Sequence, residues 1–118
     1  MADSALFVGF GLPARGRERQ AIGVLNEALE YYARLEQQGE IESSETILLD
    51  PHGGDLGGFT LLRGDQAKLD HIRASEDFLR LISRAEIAVD HIGVVGAVIG
   101  ERLMTQVALF SQAVDELT

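Results

Sequence analysis

The order in which hydrophobic periods follow one another constrains this 118-residue chain more than any single motif does. Ala5–Gly11 is a short apolar run of strand length, closed by Pro13, which has no N–H to give to a ladder. From about Ala14 to Gln38 the period becomes helical: Ile22, Leu25, Leu29 and Tyr32 mark one stripe, and Ala21, Val24, Ala28 and Leu35 widen it. Gly39 then offers the left-handed residue that ends a helix. Thr46–Asp50 and Gly58–Arg63 are two further strand-like runs. The turn formers between them are too few for a parallel crossover of about a dozen residues, so the pair predicts an antiparallel hairpin. Asp65 and Ser75 are each placed to cap a helix, which predicts a helical region broken near Ser75, with Leu69, Ile72, Phe78, Leu81, Ile82 and Ala85 inward. Ile92–Gly100 is continuously apolar and predicts a strand that is central or covered on both faces. Leu103, Val107, Phe110, Val114 and Leu117 follow at alternating steps of four and three, the narrow seam of a last helix.

The order is therefore β-α-β-β-α-β plus a terminal helix. Two right-handed crossovers put both main helical regions on one face of a four-stranded antiparallel sheet. A solvated opposite face would show alternation of apolar and polar residues. Instead Leu6-Phe7-Val8, Ile47-Leu48-Leu49 and Val94-Val95 are unbroken apolar runs. Such a face is too large an apolar patch for a typical monomer, and a two-fold dimer is the commonest way to cover it. The fold class expected is α+β, as a single ferredoxin-like domain over 1–118 that forms a dimeric barrel. The inner sheet faces would enclose a packed interface or a small apolar cavity. Phe7 and Phe59 are the apolar candidates to line it.

The segment Leu35…Gly39-Glu40-Ile41…Pro51…Gly53-Gly54…Phe59…Gly64 resembles the helix end and hairpin of the YCII-related proteins. Together with the element order over residues 5–100, it makes the chain similar to the dimeric α+β barrels, which also include small monooxygenase-like proteins. The resemblance implies a homodimer and a ferredoxin-like sheet. The chain departs from the YCII-related pattern in two places. Ala14–Ile22 has no histidine where those proteins carry one at the start of the first helix, and Asp77-Phe78 stands where they have Asp-Pro. No catalytic residue is carried over.

Composition removes several function classes. There is no cysteine, so disulfides, thiolate nucleophiles and Cys-ligated zinc are out, and a reducing cytoplasm fits. The net charge of −9 repels a phosphate backbone, which argues against nucleic acid as a partner. Met1-Ala2-Asp3-Ser4 has no basic stretch before its apolar run, so a signal peptide is not expected, and no run approaches the length of a membrane span.

Polar candidates are scattered. Gly9-Phe10-Gly11-Leu12-Pro13-Ala14 fits G-x-G-x-x-A formally, but Asp50 lies 36 residues after Ala14, against about 20 in the dinucleotide motif. The bland reading, a tight strand-to-helix turn, is preferred, and no cofactor is expected. Arg15, Arg17 and Arg19 gather at the start of the first helix, with Arg15 and Arg19 four apart on one face; they suit either an anionic ligand or a solvated basic end. Asp50, His52 and Asp55 hold oxygen and nitrogen donors for a metal, or simply build a turn. His91, leading into the last strand, is a candidate general base near neutral pH, or a structural histidine. Arg63 and Asp50 are its candidate polar companions. The function expected is binding of a small, mostly apolar ligand, with a carboxylate as one option. The alternatives are a cofactor-independent monooxygenase- or isomerase-like enzyme, or an oligomer with no ligand.

Overall fold

The computed structural model describes residues 2–118. Its elements are β1 (Ser4–Phe10), α1 (Glu18–Gln37), β2 (Ser43–Leu48), β3 (Gly58–Gly64), α2 (Gln66–Ala74), α3 (Glu76–Ala88), β4 (Gly93–Val98) and α4 (Gly100–Leu117). The strands form one sheet in the order β2-β3-β1-β4, every neighbouring pair antiparallel. The β-α-β-β-α-β reading holds. Each crossover skips one strand position, and β2 and β3 are the expected hairpin.

Local chemistry explains the helix boundaries. The α1 C-terminus is a Schellman motif: the Gly39 N–H donates to the Glu36 carbonyl at 3.1 Å and the Glu40 N–H to the Leu35 carbonyl at 2.9 Å. Gly39 takes φ 75° to make this turn. The Asp65 carboxylate caps α2 by accepting from the Lys68 N–H, and the Ser75 hydroxyl caps α3 by accepting from the Phe78 N–H. The break between the two helices thus falls at Ser75, as the paired caps predict.

Helix-facing residues build the core. Leu6, Val8 and Leu62 of the sheet meet Tyr31, Tyr32 and Leu35 of α1, Leu69 and Ile72 of α2, and Phe78 and Leu81 of α3. β3 alternates strictly, with Gly58, Thr60, Leu62 and Gly64 buried and Phe59, Leu61 and Arg63 only half-buried. By the register, the middle of the opposite sheet face is the row Glu45–Leu61–Phe7–Val95. Among the described residues that row is not buried: Phe7 and Leu61 are half-buried and Val95 is exposed. Phe7 and Phe59 stack on that face with ring centroids 5.0 Å apart.

Several expectations need correction. β4 is not central: it pairs only with β1, and Val95 is 55% exposed. Its unbroken apolarity arises because one face packs on helices and the other belongs to the bare side. β2 begins and ends earlier than expected, which leaves Leu49 and Asp50 in the loop that follows. α1 starts at Glu18 because Gly16 holds φ 82° and residues 13–14 first run beside the α3–β4 linker, Ala14 N–H donating to the Ala88 carbonyl at 2.9 Å. Arg15 therefore precedes the helix and shares no helix face with Arg19. The buried stripe of α1 runs through Ala21, Tyr31, Tyr32 and Leu35, while Ile22 and Leu29 are exposed.

Candidate functional site

The spare width of the α1 stripe has a destination. Ile22, Val24, Leu25 and Ala28 of α1, with Leu81, Ile82 and Ala85 of α3, face Val8 and Thr60 of the sheet across a cavity of ≈ 320 Å³. The cavity reaches solvent where the lining residues are exposed: Leu12, Ile22 and Leu48 are 69%, 62% and 66% accessible. Exposed leucine and isoleucine at a cavity mouth present an apolar rim to an incoming molecule. Tyr32 and Thr60 are the only polar or titratable side chains among the described lining residues.

Thr60 is buried and shares a 2.8 Å hydroxyl–hydroxyl hydrogen bond with Thr46 on the adjacent strand. A hydroxyl has one proton and two lone pairs, so this pair keeps capacity for a ligand. Tyr32 is buried, and burial, reinforced by neighbouring Tyr31, pushes its hydroxyl pKa far above the ordinary 10.0. The group stays protonated as a neutral donor throughout the physiological range. The lining therefore offers hydroxyls in an apolar wall and no side-chain charge.

The rim is built by three loops that meet at glycines. The Gly11 N–H donates to the Asp90 carbonyl and the Gly57 N–H to the Phe10 carbonyl, both at 2.7 Å. A Cβ at Gly11 would stand 2.8 Å from the Asp90 carbonyl oxygen and 2.9 Å from that of Asp55. Gly11 of the G-x-G-x-x-A segment thus serves close loop packing, while Gly9 lies within β1. With an antiparallel sheet around them, the dinucleotide reading falls.

His91 stands beside this junction in the left-handed conformation, φ 58°, the one such non-glycine among the described residues. Its imidazole is exposed and lies 3.9 Å from the Asp55 carboxylate. It is next to the rim, one residue before the lining residue Ile92, and does not itself line the cavity. Arg63 lies on the bare sheet face, 3.6 Å from Glu45, and Asp50 is exposed in the β2–β3 loop. Neither lines the cavity, so the three residues expected as catalytic companions are not gathered there. Phe7 and Phe59 are also away from it, because alternation sends them to the opposite face of the sheet. Arg15 and Arg19 are exposed before and at the start of α1, and neither belongs to the lining.

His52 is used by its own loop. Its Nδ1 accepts from the Gly54 N–H at 3.2 Å, which leaves Nε2 to donate to the Leu56 carbonyl at 2.7 Å. With both ring nitrogens engaged, His52 is not presented as a metal ligand, and Asp55 faces His91 instead. Sequence reasoning missed Tyr32 and Thr60 as site residues. Thr60 was the visible signal, a hydroxyl set inside an apolar strand.

No family model matches the chain, and no curated protein matches it. Solved structures do. A ferredoxin-like DABB-family protein from Mesorhizobium loti superposes with a TM-score of 0.64 at 16% identity, covering 85% of this chain and 99% of that one. A dimeric ferredoxin-like protein of unknown function from Bacteroides fragilis gives 0.62 at 12% identity, covering 81% and 95%. SnoaB, a cofactor-independent oxygenase from Streptomyces nogalater, gives 0.56 at 15% identity, covering 85% and 96%. At these identities the likeness carries the architecture and leaves the reaction open, since one such scaffold hosts many chemistries. The chain has the ferredoxin-like fold, and its structural neighbours include DABB-family and oxygenase proteins.

Proposed function

We propose that this protein binds a small, neutral, mostly apolar molecule in the cavity between its sheet and its helices, as a homodimer joined through the bare sheet faces. The observation that carries the reading is the ≈ 320 Å³ cavity whose only polar side chains are the hydroxyl-bearing Tyr32 and Thr60. Cavities of this size suit small ligands when apolar walls are combined with a few placed polar groups. A carboxylate fits poorly there, because a buried charge without a partner is strongly disfavoured. The carboxylate option of the sequence reading is therefore dropped. The dimer is supported by the apolar row Leu61–Phe7–Val95 on an uncovered face and by the dimeric Bacteroides fragilis structure of the same fold.

The test is titration with neutral bicyclic probes such as 1-naphthol, indole and coumarin, followed by calorimetry or fluorescence. Saturable binding of at least one is expected, weakened tenfold or more by Ala28→Phe, which fills the cavity. No saturable binding, or binding indifferent to Ala28→Phe, would overturn the reading.

One observation favours a second reading, a cofactor-independent enzyme. His91 holds an unfavourable backbone conformation beside the cavity rim, and such conformations gather at functional sites. The SnoaB scaffold shows that oxygenase chemistry is compatible with this fold. Oxygen uptake in air-saturated buffer with a dihydroxynaphthalene is its test. Uptake no faster than in buffer, or uptake unchanged by His91→Gln, removes it.

A further inference from the structure

α4 is an 18-residue helix with no buried residue. Only its root is tied down: the Arg102 guanidinium donates to the Ser4 hydroxyl, and the Ile99 N–H donates to the Asp3 carbonyl at 3.2 Å. Beyond that root it projects. The radius of gyration is 16.3 Å, against about 13.5 Å for a compact chain of this length.

The exposed seam of α4 has its own register. Leu103, Val107, Phe110, Val114 and Leu117 follow the 3-4 spacing of a two-helix contact, with valines at the a positions and Leu, Phe and Leu at d. β-branched residues at a with leucine at d favour two strands. The flanking e and g positions, Met104, Gln106, Ser111 and Ala113, are uncharged. Glu101, Asp115 and Glu116 fall at b and c, away from the seam, so two copies can approach without like charges meeting.

The seam also extends the apolar surface that a second copy can cover. Four strands about 4.8 Å apart and six or seven residues long make a bare face on the order of 400 Å². A stable interface uses about 800 Å² per partner. A helix of this length runs about 27 Å and adds an apolar strip on the order of 270 Å². Both figures are flat footprints, smaller than the accessible surface they would bury, and the seam enlarges the apolar face open to a second copy by more than half.

We infer that α4 packs along its seam against α4 of a second copy, as an extension of the sheet-face dimer. The inference rests on the self-association proposed above, and the variants are chosen to separate the two. Because the chain has no cysteine, a single introduced cysteine can form a disulfide only between copies. Phe110→Cys, mid-seam, is expected to give a covalent dimer on mild oxidation, and Gln112→Cys, on the opposite side, is not. Equal cross-linking at both, or none at Phe110→Cys, overturns the inference. Val107→Asp with Val114→Asp is expected to raise the dimer dissociation constant at least tenfold in sedimentation equilibrium, with the helical signal of the core retained. α4 buries nothing within its own chain, so these variants do not threaten the fold. If Val95→Asp on the sheet face weakens the dimer and the α4 pair does not, the sheet-face reading stands and the α4 inference falls. A wild-type monomer overturns both.

Discussion

Gly11 shows how much a single missing methyl group can carry. Two carbonyl oxygens from different loops stand within 2.9 Å of where its Cβ would be, and neither belongs to a flexible side chain. Gly11→Ala is therefore expected to cost roughly 1–3 kcal/mol, read as a lower denaturation midpoint at unchanged slope. Tyr32 acts in the opposite sense, by what burial does to a group that is present. Its folded-state pKa lies above the unfolded value of 10.0, chiefly through desolvation. Its contribution is thus complete below pH 10 and is lost as pH rises from about 10 through the higher folded-state pKa. Urea melts between pH 8 and 11 are expected to show stability falling at the alkaline end. Tyr32→Phe, which keeps the ring and removes the hydroxyl, is expected to show a shallower fall.

Ser75 is where one helical region becomes two elements. Its hydroxyl accepts from the Phe78 N–H and donates to the Ile72 carbonyl at 2.7 Å, so one side chain closes α2 and opens α3. Ser75→Ala is expected to cost about 1 kcal/mol by thermal or chemical denaturation. This junction was legible in the sequence because capping is local chemistry, carried by residues next to the boundary they set. The same holds for Gly39 and Asp65. The face of α1 was less legible: Ile22 and Tyr32 lie on one apolar stripe by spacing alone, yet only Tyr32 is core, while Ile22 stands exposed at the cavity mouth. Nor could spacing tell that β4 lies at an edge. An apolar run looks the same whether a strand is central or lies at an edge. The site was the least legible part, since Tyr32 on α1 and Thr60 on β3 come to line one cavity only through the tertiary fold. Residues chosen for chemical type, such as His91, Arg63 and Asp50, carry no record of which face or end they occupy.

On the scale of the whole molecule, the sheet divides two tasks. One face carries the helices and the cavity, and the other carries Phe7, Leu61 and Val95, the contact proposed for a second copy. Light scattering is expected to give twice the mass of the chain, and Val95→Asp is expected to shift that mass toward the single chain at micromolar concentration. A single-chain mass for the unaltered protein would contradict the covered-face argument. The same division has a consequence for ligand thermodynamics. The cavity opens where β1 ends, near Leu12 and Leu48, whereas α4 departs beside the start of β1, at Ser4. A molecule that enters there meets the helix side of the sheet, whereas the contact proposed for a second copy lies on the other side, at Phe7, Leu61 and Val95. The isotherm is expected to be hyperbolic, with one molecule per chain and an affinity independent of protein concentration.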